Sequence, residues 1–334
     1  MNIEKLSAIL QLEPKYRFTQ VNKALWQDHI SSWQEASALP QKLREELENN
    51  CPLEIKAELE ENGGRNKSVK ALIVLEDGEK IETVLIRQDK KRNTVCLSSQ
   101  VGCPLACEFC ATGHLGFRRN LSSNEMIEQL VFWQRYLKAE KKDEKVDNIV
   151  FMGMGEPFLN YPEFIKTVKF FNNPETLNIG SRRISVSTAG IIEGIKRLSG
   201  EKLQINLAIS LHAASDEKRR DLMPIALKYS LYDLFRAVDN YITKTGRRVM
   251  FEYLMLKGVN DSDQDALELA KLMAKPLYML NLIPYNPTGR FQASSRERID
   301  KFKKILEDKN IPVTVRLSFG GEIKAACGQL RGSK

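Results

Sequence analysis

The chain changes its pattern of apolar and polar positions near residue 90. After that point, short β-branched apolar runs alternate with segments in which apolar residues recur every three or four positions. Runs of the first kind are typical of buried strands, and segments of the second kind are typical of amphipathic helices. The predicted strands cover residues 94–97, 146–152, 183–187, 203–211, 248–256, 278–284 and 312–317, and the predicted helices cover residues 122–137, 161–171, 191–198, 230–243, 262–273 and 294–306.

This alternation predicts an α/β fold, with a parallel sheet covered by outer helices. Six or seven strands are too few to close an eight-stranded barrel, so we expect a partial (β/α)6 barrel or a curved open sheet. Ligand sites in such folds lie at the carboxyl ends of the strands. The residues that directly follow the predicted strands are therefore the candidates for chemistry.

The first part of the chain has a different organisation. Helices are predicted over residues 19–33, 40–48 and 52–61, the last ending at Gly63-Gly64. Two extended runs follow, and the Asp77-Gly78 pair between them predicts a hairpin. The charged segment 88–92 is the predicted boundary. It separates an N-terminal helical domain with a β-hairpin, residues 1–88, from a catalytic domain, residues 89–334, and we expect the N-terminal domain to help bind RNA.

Composition indicates the kind of partner and the compartment to expect for this protein. The 334 residues carry 51 Lys and Arg against 43 Asp and Glu, a net charge of +8, which suits a polyanionic partner such as nucleic acid. No apolar run approaches the roughly 20 residues needed to cross a bilayer, and the first residues lack a signal-peptide pattern. We therefore expect a cytoplasmic protein with no membrane association, in a compartment where thiols stay reduced.

Three cysteines lie within eight positions directly after the first strand of the alternating part. Cys103, Cys107 and Cys110 have the spacing C-x3-C-x2-C. Three thiolates in one short loop can hold three irons of a [4Fe–4S] cluster. With no fourth cysteine in the loop, one iron is left open to a ligand, which is what the reductive cleavage of S-adenosylmethionine requires.

Other interpretations of this loop are less well supported by its spacing. Zinc takes four ligands, commonly in paired C-x2-C units, and only His114 lies near the three cysteines. Six cysteines in 334 residues are ordinary usage and do not indicate a disulfide framework. A non-catalytic RNA-binding protein with a zinc-stapled loop remains the alternative from another class, and a radical enzyme acting on a substrate other than RNA is a third hypothesis.

Polar groups also follow the later strands. A glycine-rich turn, Met152–Pro157, ends in a carboxylate that can accept from an amino group, and glycines there let backbone approach a ligand. Ser187, Ser210 with His212, and Asn286 follow the next strands. Because the carboxyl ends of parallel strands meet at one edge of the sheet, these groups predict a ring of binding residues.

Two further cysteines form a second candidate pair. Cys96 ends the strand that leads into the cysteine loop, and Cys327 lies near the end of the chain between alanine and glycine. A thiolate is the natural nucleophile for a methyl sulfonium, so the pair is a candidate for group transfer if both thiols face the same edge. Cys51 lies in the N-terminal part with no such context, and we interpret it as structural.

Together these segments resemble one known family. The sequence is similar over nearly its whole length to the radical S-adenosylmethionine RNA adenine methyltransferases, which modify large-subunit (23S) ribosomal RNA. The resemblance is carried by the cysteine loop with Gln100-Val101-Gly102 before it, and by residues 111–113, 119–121, 152–157, 210–212, 222–225, 258–261 and 325–330. It implies a radical S-adenosylmethionine barrel, a [4Fe–4S] cluster, and two molecules of S-adenosylmethionine per turnover.

The resemblance also implies roles for matching positions. Cys327 would carry the methyl group, Cys96 would be its resolving partner, and Glu82 would accept a proton. The cluster ligands would be Cys103, Cys107 and Cys110, and the contacts to S-adenosylmethionine would be Gly155, Glu156, Ser187, Ser210, Leu211, His212 and Asn286.

The implied reaction has two stages. One S-adenosylmethionine methylates Cys327, and a second is cleaved to a 5′-deoxyadenosyl radical that takes hydrogen from this methyl group. The carbon radical adds to an adenine carbon that ordinary methyl transfer cannot reach, and attack of Cys96 on the Cys327 sulfur releases the methylated base. The cofactor carries the radical chemistry and the protein positions it.

Two branches of the family differ in the carbon that is methylated. Residues 152–160 and 212–217 resemble the housekeeping branch, which methylates C2, whereas Phe319-Gly320 resembles the antibiotic-resistance branch, which methylates C8. We expect C2 methylation of 23S ribosomal RNA, with C8 methylation as the alternative and transfer RNA as a further candidate substrate. The expected partners include an electron donor such as flavodoxin or ferredoxin, and the expected enzyme is a monomer.

Overall fold

The fold is dominated by an open sheet, as a computed structural model shows for residues 3–61, 68–88, 92–140, 144–316 and 320–332. The strands are β1 (Ala57–Glu61), β2 (Ser68–Val74), β3 (Lys80–Gln88), β4 (Arg92–Leu97), β5 (Gln100–Gly102), β6 (Phe117–Asn120), β7 (Asn148–Phe151), β8 (Ile184–Thr188), β9 (Asn206–Ser210), β10 (Val249–Met255), β11 (Tyr278–Pro284) and β12 (Val313–Val315). Ten of these form one sheet in the order β1-β2-β3-β4-β7-β8-β9-β10-β11-β12, and β5 and β6 form a separate ladder.

The helices lie mostly between these strands. They are α1 (Ile3–Gln11), α2 (Tyr16–Asn22), α3 (Gln41–Asn50), α4 (Ala111–His114), α5 (Ser123–Glu140), α6 (Tyr161–Asn172), α7 (Ile192–Leu198), α8 (Asp216–Leu222), α9 (Leu231–Thr245), α10 (Asp263–Met273) and α11 (Arg296–Asp308). None of the helices in the described ranges is long and apolar enough to span a membrane.

The parallel part of the sheet confirms the predicted α/β fold. β4 and the strands β7 to β12 form a continuous parallel set in which each strand pairs with its neighbours in that order. Each of them overlaps a predicted apolar run. Within the described residues β1 and β12 are the edges and do not pair with each other, so the sheet is a partial barrel, as expected. The predicted last strand reaches residue 317, and residues 317–319 lie outside the described part of the chain.

The N-terminal part extends this sheet instead of standing apart from it. The predicted hairpin is confirmed, with β2 and β3 pairing antiparallel around Asp77-Gly78, and β3 pairs antiparallel with β4. The predicted helix over residues 52–61 is wrong, because β1 occupies its second half and pairs with β2. Leu53, Ile55, Ala57 and Leu59 alternate at the period of a strand, which the helix-favouring composition of the segment concealed.

The N-terminal helices also differ from prediction. The helix predicted over residues 19–33 begins earlier, at α2, and continues as a π-helical turn, Lys23–Gln27, while α1 was not predicted. Trp33 and Cys51 are fully buried, and the Trp33 Nε1 donates to the Cys51 carbonyl at 2.8 Å, which agrees with a structural Cys51. Gly63-Gly64 and residues 89–91 lie outside the described residues, so the domain division at 88/89 stays a prediction.

The segment 320–332 contains no helix or strand and packs against α4 and β3. The Thr112 hydroxyl of α4 donates to the Leu330 carbonyl at 2.7 Å, and the Glu82 carboxylate of β3 accepts from the amides of Arg331 and Gly332. These contacts join parts of the chain that are more than 200 residues apart in sequence. As a result, Cys327 lies over the carboxyl ends of the parallel strands.

Two glycines with left-handed backbone give a test of the packing around β5. Gly102 and Gly78 have φ of +74° and +85°. A Cβ on Gly102 would meet the Gly116 carbonyl oxygen at 1.9 Å, whereas a Cβ on Gly78 would meet nothing within 4 Å. We expect Gly78→Ala to lower the free energy of unfolding by about 1–2 kcal/mol, the cost of left-handed backbone, and Gly102→Ala to lower it clearly more. Urea unfolding of the reduced, cluster-free chain measures both, and equal losses would contradict the packing.

Candidate active site

A cleft with about 1000 Å³ of empty space, part of it open to solvent, lies at the carboxyl ends of the parallel strands. It brings together predicted residues from five separate parts of the chain. Its lining includes Cys103, Cys107, Cys110, Gly155, Glu156, Ser187, Ser210, His212 and Cys327. The sheet topology therefore places the cysteine loop and most of the predicted ring of binding residues around one space.

The cysteine loop is held at both ends. The amide of Cys103 donates to the Gly116 carbonyl at 3.0 Å, where the ladder of β5 and β6 closes the loop, and the amide of Cys110 donates to the Cys107 carbonyl at 3.0 Å. Ala111, the first residue of α4, donates to the Gly328 carbonyl at 2.7 Å. The backbone thus fixes the loop against the segment that carries Cys327.

The three thiols of the loop suit a cationic cluster. All three are half-buried. Burial raises the pKa of Cys107 well above its ordinary value, and the neighbouring Cys110 and Cys103 raise it further. Three thiolates so close together in a partly apolar cleft need positive charge, and iron would supply it.

A single metal ion is a poor fit to the same loop. Among the residues that the structure describes, no group of three or more Cys, His, Asp or Glu side chains converges as a single ion would require. The His114 Nε2 lies 3.2 Å from the Glu108 carbonyl oxygen, within its own loop. Zinc would need its ligands within about 2.3 Å of one point, whereas the thiolates of a [4Fe–4S] cluster bind separate irons. The arrangement therefore favours a cluster over a zinc staple.

Glu156 lies at the bottom of the cleft with its carboxylate held by backbone. One oxygen accepts from the Phe158 amide at 3.0 Å and the other from the Ala189 amide at 2.7 Å. Gly155 before it has φ of +94°, and a Cβ there would lie 2.5 Å from the Gln100 Cβ, so only glycine fits. Burial raises the pKa of Glu156 to about 7, although these hydrogen bonds oppose the rise. A cationic amino group placed against this carboxyl would favour its ionised form.

Ser187 and Ser210 stand side by side at the ends of β8 and β9. Their hydroxyl oxygens are 3.4 Å apart, and Ser187 donates to Glu252 at 2.7 Å. Glu252 of β10 is buried and also lies 3.3 Å from the guanidinium of Arg316. This chain of polar groups crosses the floor of the cleft and offers both donors and acceptors to a zwitterionic ligand.

His212 lines the cleft, and Leu211 lies behind the lining. Leu211 is fully buried and does not line the cleft, although its amide donates to the Glu252 carbonyl at 3.0 Å. The His212 Nδ1 accepts from the Leu254 amide at 3.1 Å, and its ring meets Phe109 of the cysteine loop edge-on at 4.8 Å. Burial lowers the pKa of His212 to about 3, so the ring is neutral at physiological pH. A neutral ring wedged between β10 and the loop acts as a spacer and not as a charge.

A second, smaller cavity lies on the other side of Cys327. Its lining includes Cys96, Asn286, Arg316 and Cys327. The Asn286 side chain donates to the Cys327 carbonyl at 3.4 Å. Burial, and then the neighbouring Cys327, raise the pKa of the Cys96 thiol to about 12. Cys327 therefore borders two spaces, one shared with the cysteine loop and one shared with Cys96.

Glu82 lies outside both cavities. One carboxylate oxygen pairs with Lys70 at 3.1 Å, and the other accepts from the amides that follow Leu330. Its side chain is buried and lies on the same face of the sheet as Cys96, since Val84, two residues on, pairs with Cys96. In these contacts Glu82 anchors the segment that carries Cys327.

Two charged residues of the site are not predicted from the sequence pattern. Glu252 and Arg316 lie inside strand β10 and after β12, where the apolar pattern drew attention to the strands alone. Arg316 lines both cavities, and the charges of Cys327, Glu252 and Cys96 all raise its pKa. A single charged residue within or directly after an apolar strand was the available signal for both.

Comparisons with known proteins agree with this geometry. Residues 97–270 match the Radical SAM superfamily. A protein from Syntrophomonas wolfei named "Probable dual-specificity RNA methyltransferase RlmN" is 46% identical over 96% of this chain and 92% of its own, and one of the same name from Symbiobacterium thermophilum is 41% identical over 99% and 90%. The crystal structure of a radical SAM methyltransferase from Sphaerobacter thermophilus has a TM-score of 0.92 and 41% identity, covering 100% of this chain and 98% of its own.

The chain belongs to the radical SAM superfamily and, within it, to the RlmN family of RNA methyltransferases. It is an enzyme that methylates RNA adenine. Its cofactors are a [4Fe–4S] cluster and S-adenosylmethionine, of which two molecules are used per turnover.

The buried carboxyl of Glu156 predicts how stability changes with pH. Its pKa rises from 4.5 to about 7 on folding, so its contribution to stability is present below pH 4.5 and is lost as the pH rises through about 7. Glu156→Gln does not titrate. The free energy of unfolding of the wild type relative to this variant should therefore fall across that range, by up to about 3 kcal/mol. Urea unfolding of the cluster-free protein measures the difference, and a difference that does not change with pH would count against this carboxyl.

The two cavities predict different reactivities for their cysteines. Cys327 is half-buried, whereas Cys96 is 7% exposed with a raised pKa. We expect iodoacetamide to alkylate Cys327 at least about tenfold faster than Cys96 at neutral pH, because reaction requires an accessible thiolate. Peptide mass spectrometry on the cluster-loaded enzyme follows both, with buried Cys51 as the slow control. Faster labelling of Cys96 would overturn the assignment of the cavities.

Proposed function

We propose that this enzyme methylates C2 of a specific adenosine in 23S ribosomal RNA, and of transfer RNA as a second substrate, through a methyl group carried on Cys327. The observation that supports this most strongly is the position of Cys327 between the cleft of the three cysteines and the cavity of Cys96. A thiol in that position borders the cleft in which a methyl group would be received and activated. It also borders the cavity that contains Cys96, the proposed resolving thiol.

The residues of the cleft divide the work as follows. Cys103, Cys107 and Cys110 would hold the cluster, which supplies the electron that cleaves S-adenosylmethionine to a 5′-deoxyadenosyl radical. The expected contacts to S-adenosylmethionine are Gly155, Glu156, Ser187, Ser210 and His212 in the lining of the cleft, Leu211 behind it, and Asn286 in the second cavity. The Glu156 carboxylate suits the amino group of the ligand, because its two backbone donors already fix its orientation.

Cys327 and Cys96 would carry and release the methyl group. The Cys327 thiolate attacks the methyl carbon of one S-adenosylmethionine, forming a sulfur–carbon bond, and S-adenosylhomocysteine leaves with the electron pair of the broken bond. Addition of the carbon radical leaves a radical on the base, whose one surplus electron the oxidised cluster would take back. The Cys96 thiolate then attacks the Cys327 sulfur. A disulfide forms, the sulfur–carbon bond breaks, and its electron pair passes to the base, which gains a proton on the new methyl group and loses one from the ring.

Two assignments rest on different support. Arg316 lines both cavities, and its charge opposes the rise in the pKa of the Cys96 thiol. Glu82 is proposed as the acceptor of the ring proton on the family resemblance, while its contacts with residues 331 and 332 support a role in holding Cys327 in place.

We further propose that the enzyme is a cytoplasmic monomer that is reduced by flavodoxin or ferredoxin. Its N-terminal domain would help to bind RNA.

Nucleoside mass spectrometry of ribosomal RNA after reaction tests the regiochemistry. With cluster-loaded enzyme, S-adenosylmethionine and a reductant, 2-methyladenosine should form in 23S ribosomal RNA. Cys327→Ala should form none while it keeps its cluster. Cys96→Ala should leave RNA bonded to the protein, because no thiol can release it. Cys51→Ala is the matched control and should retain methylation.

The other outcomes are equally distinct. Formation of 8-methyladenosine would place the chain in the C8 branch. Normal 2-methyladenosine formation by Cys327→Ala would remove the methyl carrier from the proposal. Zinc in place of iron and sulfide in anaerobically purified protein would defeat the assignment of the three cysteines.

A further inference from the structure

Arg219 of α8 is a buried guanidinium that lines neither cavity and has no place in the reaction described so far. It is 1% exposed. Its Nη2 donates to the Ala189 carbonyl at 2.7 Å, and its Nε and Nη2 lie within hydrogen-bond reach of the Leu211 and Ser210 carbonyls, at 3.3 and 3.4 Å. These three carbonyls belong to the ends of β8 and β9, so the guanidinium ties together two of the segments that line the cleft.

The charge of Arg219 is not paired with a carboxylate. Within the described residues its side-chain donors reach only backbone carbonyls, and no acidic side chain lies within ion-pair distance. Removing a cation from water without a counter-charge is unfavourable, and backbone carbonyls offset only part of that cost. An anionic neighbour would offset the rest of that cost, and the charge of Cys107 acts on the guanidinium more strongly than that of Asp216 on the same helix.

The cysteine loop provides that neighbour. The Glu108 amide, directly after Cys107, donates to the carbonyl of Leu222 at the end of α8, at 3.0 Å. One turn of helix separates Leu222 from Arg219, and Met223, whose amide donates to the Arg219 carbonyl at 2.8 Å, lines the cleft. Consistent with this docking, the charge of Arg219 lowers the pKa of Cys107, against the effect of burial.

We propose that Arg219 is a positioning residue whose fixed positive charge, held behind Cys107, raises the reduction potential of the cluster. The inference rests on the proposed role of Cys103, Cys107 and Cys110 as its ligands. One-electron reduction adds a negative charge to the cluster, and a fixed cation in a partly buried site stabilises the reduced form more than the oxidised one. The carbonyls of β8 and β9 hold the guanidinium in place, so no reorganisation is needed when the charge changes.

An anaerobic redox titration of the reconstituted full-length protein, followed by electron paramagnetic resonance without S-adenosylmethionine, tests this. Arg219→Gln removes the charge and keeps a donor for a carbonyl. At the wild-type midpoint we expect its ratio of reduced to oxidised cluster to fall about tenfold, which is about 59 mV for a one-electron couple. The matched control is Lys218→Gln, the neighbouring residue on the same helix, whose ammonium pairs with Asp265. It removes one charge that does not face the loop and should leave the midpoint unchanged.

Arg219→Lys separates charge from hydrogen bonding and covers the case in which Arg219→Gln does not fold. A buried lysine loses its proton more easily than arginine. The midpoint potential of the cluster in Arg219→Lys should therefore lie near the wild-type value at low pH. As the pH rises, it should fall further than the wild-type potential does. A purely structural role would lower the melting temperature of both Arg219 variants and leave their midpoints at the wild-type value, and that result would overturn the inference.

The same experiment distinguishes this inference from the proposed function. If the wild-type protein assembles no cluster that titrates, the assignment of the three cysteines fails. If the cluster titrates at one midpoint in the wild type, Arg219→Gln and Lys218→Gln, only the role of Arg219 fails.

Discussion

The site depends on one long-range interaction, the docking of residues 320–332 across the carboxyl ends of the strands. The open sheet leaves these ends uncovered, and the segment is tied there through Ala111 and Gly328, Thr112 and Leu330, and Glu82 with the last amides. Each bond uses a backbone group of the segment, which has no ladder or helix of its own to satisfy it. Without this docking Cys327 would share no space with the cysteine loop or with Cys96.

The electrostatics of the site follow from this arrangement. Burial raises the pKa values of Cys96, Cys103, Cys107 and Cys110, so the chemistry needs thiolates where the surroundings oppose them. The charges of two guanidinium groups oppose this rise. Arg316 acts on Cys96, with which it shares a cavity, and Arg219 acts on Cys107 of the loop. The cations are arginines, which remain charged when buried, whereas a lysine in either place would tend to lose its proton.

The sequence carried enough information to predict the parallel sheet, because each of its strands is an apolar run bounded by turns. The hairpin at Asp77-Gly78 was equally clear for the same reason. The error at residues 52–61 arose because β1 is an exposed edge strand, where Glu and Lys mask a period-two pattern. The short elements β5, β6, α4 and α8 were missed because they span only three to seven residues, too few for a periodic pattern to be recognised.

For the site, spacing and position found the cysteines and the residues after the strands, but they could not find Glu252, Arg316 or Arg219. The role of an isolated charged residue in an apolar or helical segment depends on the groups that the fold places next to it. Glu82 shows the converse. The resemblance gives it a role in proton transfer, whereas its contacts with Lys70 and residues 331–332 show an anchor for the C-terminal segment.

The neighbours of Cys327 explain how a single thiol can border two spaces. Ala325 and Ala326 line the cavity of Cys96, and Gly328 lines the cleft of the three cysteines. Side chains this small leave both spaces open on either side of the thiol, and larger ones would fill one of them. Gly328 also has φ of +85°, which turns the chain so that its carbonyl meets Ala111. The run Ala-Ala-Cys-Gly therefore satisfies a steric requirement of the proposed methyl carrier, a thiol that borders two spaces at once.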